Sequence, residues 1–336
     1  MQPLSSIQSA VEKATMVCTG LLLLVSATLY GVESFSPMTA TLRKTFHVPF
    51  PENGTGDIEI HSLLVTNNKL VIGQGGIDMN KLKVVSLDNV DEVKEIELGL
   101  MQVPFDMALR GDGLVAVSCK HTFSDILLVD VSGADPVISK TVSPPREYVE
   151  TAVAGGTGDE LIVAGWTLSY IGYVDVLSRE GDVIRNIKEN WDQVLPEHVV
   201  QNGNDLFISA TDLNNYQSLY RVDLVTGESI SNIGALNLST ITDDTFFQGD
   251  VDSAGNLYFA VNGGACFNGA DRAPSAHCVL VIAPDGQIRV LLYGINFYRM
   301  ATAVAVTPTG IAVAWQIEPY GPGSTYHVAV EGYEFA

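Results

Sequence analysis

"GDVDSAGNLYFAVN", residues Gly249–Asn262, carries two aspartates one residue apart and then a glycine, as a calcium loop does at its start. An EF-hand loop needs oxygen ligands at positions 1, 3, 5 and 12 and glycine at position 6. Counting from Asp250 puts Asp252 at position 3 and Gly255 at position 6, but Ala254 at position 5 and Val261 at position 12. Half of the ligands are missing. The residues after the glycine, Leu257 to Val261, form a β-rich apolar run. The stretch therefore reads as strand, Asp-Ser-Ala-Gly-Asn turn, strand.

The same pattern recurs along the chain. Turn residues followed by an apolar strand appear around Leu70, Leu114, Leu161, Leu206, Leu257 and Ile311, at spacings of 44, 47, 45, 51 and 54 residues. A period of about 40 to 50 residues with four strands per unit is the signature of a β-propeller. The expected fold is all-β: a six-bladed propeller with four-stranded antiparallel blades, forming one domain over residues 39–336. Glu-Gly-Asp, Thr-Gly-Glu and Pro-Asp-Gly turns between the later strands of the units fit an antiparallel meander. The last unit supplies only three strands before Ala336, whereas Thr39 to Phe50 is a spare strand with no unit of its own. That strand is predicted to close the ring as the outer strand of the last blade, which removes an unpaired edge.

Residues 1–27 are of another kind. Met16 to Gly31 is an apolar run preceded by Lys13, and Val25-Ser26-Ala27 fits the small-x-small rule for signal cleavage. The expectation is a signal peptide over 1–27, with an uncleaved signal anchor as the alternative, and a short leader over 28–38. The run is broken by polar residues and short for a span, so no stable membrane span is expected after cleavage and the propeller is expected to be secreted or luminal. Removing the signal leaves Cys119, Cys266 and Cys278. Cys266 and Cys278 bracket an insertion between two strands of one hairpin and are expected to form a disulfide, whereas Cys119 lies in an apolar strand and reads as a buried free thiol. Asn53 and Asn237 begin Asn-x-Ser/Thr triplets and are candidate glycosylation sites.

The charge balance is 18 Lys and Arg against 39 Asp and Glu, a net −21. Nucleic acid is thereby excluded as a partner, since phosphate binding needs a basic footprint. No nucleophile elbow, His-Glu-x-x-His, Cys-x-x-Cys, P-loop or dinucleotide fingerprint occurs. Propeller sites are instead assembled from residues contributed one per blade. Counting back from each anchor gives Glu59 and His61, Asp106, Glu150, Glu197 and His198, Gln248 and Asp250, and Arg299 and Thr302. Glu59, Asp106, Glu150, Glu197 and Asp250 are the candidate metal ligands, for a hard cation such as calcium, and His61 and His198 the candidate catalytic bases.

The unit containing "GDVDSAGNLYFAVN" and "CVLVIAPDGQIRVLLYG" resembles a repeat of the NHL and SMP-30/paraoxonase-like six-bladed propellers. The resemblance implies the propeller fold. In the enzymes of that superfamily it implies a calcium in the central tunnel held by Glu, Asn and Asp, and hydrolysis of lactones or phosphotriesters; other members are binding platforms. No asparagine stands at the counted ring positions. Two functions follow. One is an extracellular recognition module that binds a protein, glycan or small molecule through loops carrying Phe267, Arg272, Tyr320 and Tyr326. The other is a calcium-dependent hydrolase that uses the ring residues.

Overall fold

The computed structural model describes residues 37, 39–50, 58–76, 80–99, 102–120, 125–156, 158–212, 217–230, 245–262, 266, 277–294, 299–317 and 327–336. Among these residues there is no α-helix, and none long and apolar enough to cross a membrane. The strands in chain order begin with β1 (Leu42–Pro49), β2 (Ile58–Thr66), β3 (Lys69–Gly76), β4 (Lys81–Ser86) and β5 (Val93–Glu97). There follow β6 (Val103–Leu109), β7 (Val115–Lys120), β8 (Ile126–Asp130), β9 (Val137–Val142), β10 (Tyr148–Gly155), β11 (Leu161–Thr167), β12 (Ile171–Leu177) and β13 (Val183–Asp192). The next are β14 (Val194–Asn202), β15 (Asp205–Asp212), β16 (Gln217–Asp223) and β17 (Ser229–Ile230). The last are β18 (Thr245–Val251), β19 (Leu257–Asn262), β20 (His277–Ile282), β21 (Ile288–Tyr293), β22 (Arg299–Thr307), β23 (Gly310–Ile317) and β24 (His327–Phe335).

β2–β5, β6–β9, β10–β13 and β14–β17 form four separate four-stranded antiparallel sheets. The other eight strands make one sheet in the order β1-β24-β23-β22-β18-β19-β20-β21. Its two antiparallel halves are joined only by a parallel pairing of Gln248 with Ala303. The first strands β2, β6, β10, β14, β18 and β22 each pack on the next, and β22 packs on β2. The architecture is an all-β, propeller-like arrangement of antiparallel four-stranded blades.

The spare N-terminal strand takes the place expected of it. β1 pairs antiparallel with β24, from Leu42 opposite Phe335 to Pro49 opposite Ala329. Lys44 holds it there by a 2.5 Å bond to Glu331, which also pairs with Arg299 and accepts the Tyr333 hydroxyl. Burial pushes the Glu331 carboxyl up, but these donors outweigh it and bring it down to about 2.

The core lies between neighbouring sheets, so the inner strands are buried on both faces and read as continuous apolar runs. Val153, Leu161 and Val163 meet Ala116 and Leu128 of the preceding sheet, and Ala152, Ala154 and Ala164 meet Val199, Leu206 and Ile208 of the next. Outer strands β5 and β9 are largely exposed. Cys266 and Cys278 are bonded, with Cα atoms 5.6 Å apart. Cys119 is a buried free thiol, pushed up to about 12 by burial.

The opening stretch resolves into a turn. Asp252 Oδ1 accepts from the backbone N–H groups of Ala254 and Asn256, each at 2.9 Å. Its Oδ2 accepts from Asn256 Nδ2 and the Tyr258 hydroxyl, each at 2.8 Å. Gly255 takes the left-handed position at φ +84°. Every acceptor site of the carboxylate is used to shape the loop between β18 and β19. The predicted signal, the predicted leader apart from Pro37, and Asn53, Asn237, Phe267, Arg272, Tyr320 and Tyr326 lie outside the described residues.

Candidate functional site at the entry end of the ring

Each of the six first strands slips register at one level against its neighbour. The slips fall between Ile60 and Ser62, Pro104 and Asp106, Tyr148 and Glu150, Pro196 and His198, Phe246 and Gly249, and Ala301 and Ala303. A bulge leaves its extra residue unpaired and re-aims its side chain. The residues so released include His61, Phe105 and Glu197, which come together at the end of the ring where the first strands begin.

Phe105, 4% exposed, is the hub of this group. His198 stacks on its ring at a centroid distance of 4.9 Å, and the His61 ring lies at 6.3 Å. The Lys120 ammonium sits 4.6 Å from its centroid and 3.0 Å from Glu150 Oε1. His61 Nε2 meets Glu59 Oε2 at 2.9 Å, and Thr211 donates to Glu197 at 2.7 Å. Gly75 leaves room for this pair, since a Cβ there would fall 2.7 Å from Val103 Cγ1 and 3.3 Å from His61 Cδ2.

The electrostatics follow from the packing. The hydrogen bond from His61 holds the Glu59 carboxyl below its ordinary range. Burial, with the neighbouring Glu150 charge, pushes Glu197 upward. Burial brings His198 down to about 3, helped by the Lys120 charge, so this imidazole is neutral at physiological pH. Its Nδ1 is buried without a hydrogen-bond partner.

The structure thus brings Glu59, His61, Glu150, Glu197 and His198 together and places the other ring candidates elsewhere. Asp106 accepts from the N–H groups of Met107 (2.9 Å), Val153 (3.2 Å) and Val199, which ties β6 to β10 and β14. Burial nevertheless pushes it up to about 8. Asp250 accepts from Val251 at 2.7 Å and Val306 at 2.8 Å, with desolvation raising it to about 6. Gln248 crosses from β18 to β2, donating to Leu63 O at 3.0 Å and accepting from Leu63 N at 3.3 Å. These three side chains bolt the inner strands to one another across the middle of the ring. Beyond them, at the opposite end, lies a cavity of about 1700 Å³ lined by the turns that follow the first strands. Arg299 turns to Glu331 and the Trp315 ring, and Thr302 occupies the bulge of β22.

This donor set does not suit a calcium ion. Glu59, Glu150 and Glu197 are held by His61, Lys120 and Thr211 respectively, and the Lys120 ammonium already stands among the carboxylates. Among the described residues no three His, Cys, Asp or Glu side chains form a group able to hold a metal ion. Two central residues, Phe105 and Lys120, are absent from the ring as counted along the sequence. Phe105 is one place from the counted Asp106, and the bulge exchanges them. Lys120 ends a second strand, and its only local sign is a lone charge closing the apolar run "LVAVSCK".

No protein-family model matches the chain, and no curated protein matches it. Solved structures do. A gluconolactonase from Xanthomonas campestris superposes with a TM-score of 0.56 at 9% identity, covering 83% of this chain and 87% of its own. A putative gluconolactonase gives 0.53 at 12% identity over 88% and 99%. The PQQ-bound aldose sugar dehydrogenase of Streptomyces coelicolor gives 0.52 at 13% over 89% and 99%. At such identities the likeness is one of fold, that of gluconolactonase-like and sugar dehydrogenase propellers.

Proposed function

We propose that the chain is a six-bladed propeller hydrolase that opens a small cyclic ester at the entry end of the ring. The blade count takes the eight-stranded sheet as two blades touching at Gln248 and Ala303. The observation that carries the function is the convergence of a carboxylate–imidazole pair, an ammonium and a buried carboxyl around Phe105. Three chemically different groups in one half-buried place are what acid–base catalysis requires. The names of the structural neighbours, gluconolactonase and aldose sugar dehydrogenase, support a small-molecule enzyme over a protein-recognition module.

Each group has a role in this reading. Glu59 fixes the His61 tautomer by accepting from Nε2, which leaves Nδ1 as the basic nitrogen. His61 Nδ1 takes a proton from water as the water oxygen bonds to the ester carbon. The resulting oxyanion lies by the Lys120 ammonium, a donor whose value rises in a partly desolvated site. The carbon–oxygen bond to the ring oxygen then breaks, and the alkoxide takes its proton from Glu197, whose carboxyl burial pushes upward from its ordinary value. Proton transfer from His61 to Glu197 restores both groups. The Cys266–Cys278 disulfide supports the further reading of a secreted protein, since such bonds persist in oxidising compartments.

The test is a panel of lactones assayed by acid release with wild type and Lys120→Met. Hydrolysis lost in the variant supports the reading. Equal rates would refute the role given to the ammonium.

A further inference from the structure

Strands β2, β6, β10 and β14 are each the terminal strand of their sheet, so their inner edges carry N–H and C=O groups that no further strand pairs. Buried backbone groups of this kind need partners. Two buried side chains supply them just past the entry site. The Asp106 carboxylate, 1% exposed, accepts from Met107 N on β6 at 2.9 Å, Val153 N on β10 at 3.2 Å and Val199 N on β14. The Gln248 amide, 4% exposed, accepts from Leu63 N and donates to Leu63 O on β2, and its Nε2 also donates to Gly249 O on β18 at 3.1 Å.

These bonds divide the site. Phe105 stands two residues before Met107, Glu150 three before Val153 and Glu197 two before Val199. Each therefore lies within about 7 to 10 Å, along its own strand, of an N–H held by Asp106. His61 stands two residues before Leu63, and so at the same remove from the Gln248 bonds. Among the described residues Asp106 has no bond to β2, and Gln248 has none to β6, β10 or β14. At the site the two parts meet at the His61 and Phe105 rings, 6.3 Å apart.

The joining of the blades does not of itself call for a carboxylate here. Apolar clusters already fasten the sheet of β10 to the sheets on both sides. No cation among the described residues pairs with Asp106, which makes it a costly charge to bury. What the carboxylate adds is direction: three converging N–H donors fix the height of three strands against one another, whereas apolar contacts tolerate a slide.

We propose that Asp106 and Gln248 are positioning residues that hold the site in two separately set halves. Asp106 places Phe105, Glu150 and Glu197, the half that receives the oxyanion and the leaving group; Gln248 places Glu59 and His61, the half that activates water. The inference rests on the hydrolase reading for these roles, but not for the division.

The test compares wild type, Asp106→Asn and Gln248→Met. Asparagine keeps the shape of Asp106 but turns an NH2 group toward N–H donors, and methionine keeps the length of Gln248 without its bonds. Imidazole NMR reads each half without activity: Asp106→Asn should shift the His198 resonances and leave those of His61, and Gln248→Met should do the reverse. Kinetics use δ-valerolactone, whose leaving group is an alkoxide, and dihydrocoumarin, whose phenoxide needs little help from an acid. Asp106→Asn should raise the ratio of kcat/KM for dihydrocoumarin over δ-valerolactone about tenfold. Gln248→Met should lower both rates about tenfold and leave the ratio unchanged. Should Asp106→Asn fail to fold, Gln248→Met carries the test by itself, and a shift of His198 in it equal to that of His61 would overturn the division. Equal shifts of both imidazoles in either variant, with both lactones opened, would sink the two halves while the hydrolase stands. If wild type opens neither lactone but the imidazoles respond separately, the hydrolase fails while the division stands.

Discussion

Replacing Lys120 by methionine removes one charge from the entry site and leaves an apolar stem over Phe105. The ammonium is 3.0 Å from Glu150, with the two side chains 25% and 20% exposed. At an effective dielectric of 20 the gross attraction at this distance is about 5 to 6 kcal/mol. Desolvation offsets most of it, and the net effect lies between the roughly 1 kcal/mol of a surface pair and the 3–5 kcal/mol of breaking a buried one. We expect a loss of about 2 to 3 kcal/mol at pH 8. The loss should shrink toward pH 5. Burial already holds the Glu197 carboxyl above its ordinary value, and loss of the cation raises it further, so the folded variant binds more protons than the unfolded chain and its stability falls as pH rises. The assay is urea unfolding of wild type, Lys120→Met, Glu150→Gln and the double variant at both pH values. The double variant should regain about 1 to 2 kcal/mol relative to the sum of the single changes. A Lys120→Met protein within about 0.5 kcal/mol of wild type at pH 8, or strict additivity, would refute the coupling.

Two further expectations follow from the same packing. His198 is neutral in the folded protein down to about pH 3, so its contribution is complete above about pH 6.5 and declines as the unfolded chain takes up the proton below that value. Wild type should therefore lose about 4 to 5 kcal/mol relative to His198→Phe between pH 6.5 and 3, and parallel pH profiles would contradict the assignment. Cys266 and Cys278, 12 residues apart, close a loop whose opening costs about 3 kcal/mol on entropic grounds. Cys266→Ser should lower the denaturant midpoint accordingly and make it insensitive to reductant; an unchanged midpoint would show the bond to be without effect on stability.

Much of the fold was legible because it repeats. Leu70, Leu161, Leu206, Leu257 and Ile311 each begin or nearly begin a second strand, as the turn-plus-apolar pattern requires, and Val115 begins β7 one residue after Leu114. The shortage of one strand at the C-terminus and the surplus at the N-terminus point to the β1–β24 pairing from the sequence alone. The hairpin around the Cys266 insertion pointed to the disulfide in the same local way.

The site was legible only in part, for a physical reason. A bulge in every first strand shifts the side-chain alternation by one, and a one-residue slip sends a side chain to the other face. Counting along the strand therefore reached His61 and Glu197 but assigned Asp106 a place that Phe105 occupies. The Asp106 carboxylate goes to backbone N–H groups of other strands. Lys120 ends a second strand, and only the packing of one blade against the next brings it to Glu150. Nothing in the local sequence encodes that neighbourhood.

The most direct measurement is hydrolysis of a lactone panel by wild type and His61→Ala, with unfolding of both followed in parallel. A base that takes the proton from water contributes about 10² to 10⁴ in rate. The account predicts that His61→Ala loses at least about a hundredfold in kcat/KM while its melting temperature stays close to that of wild type. Equal rates in the two proteins, or no turnover of any lactone by wild type, would contradict it.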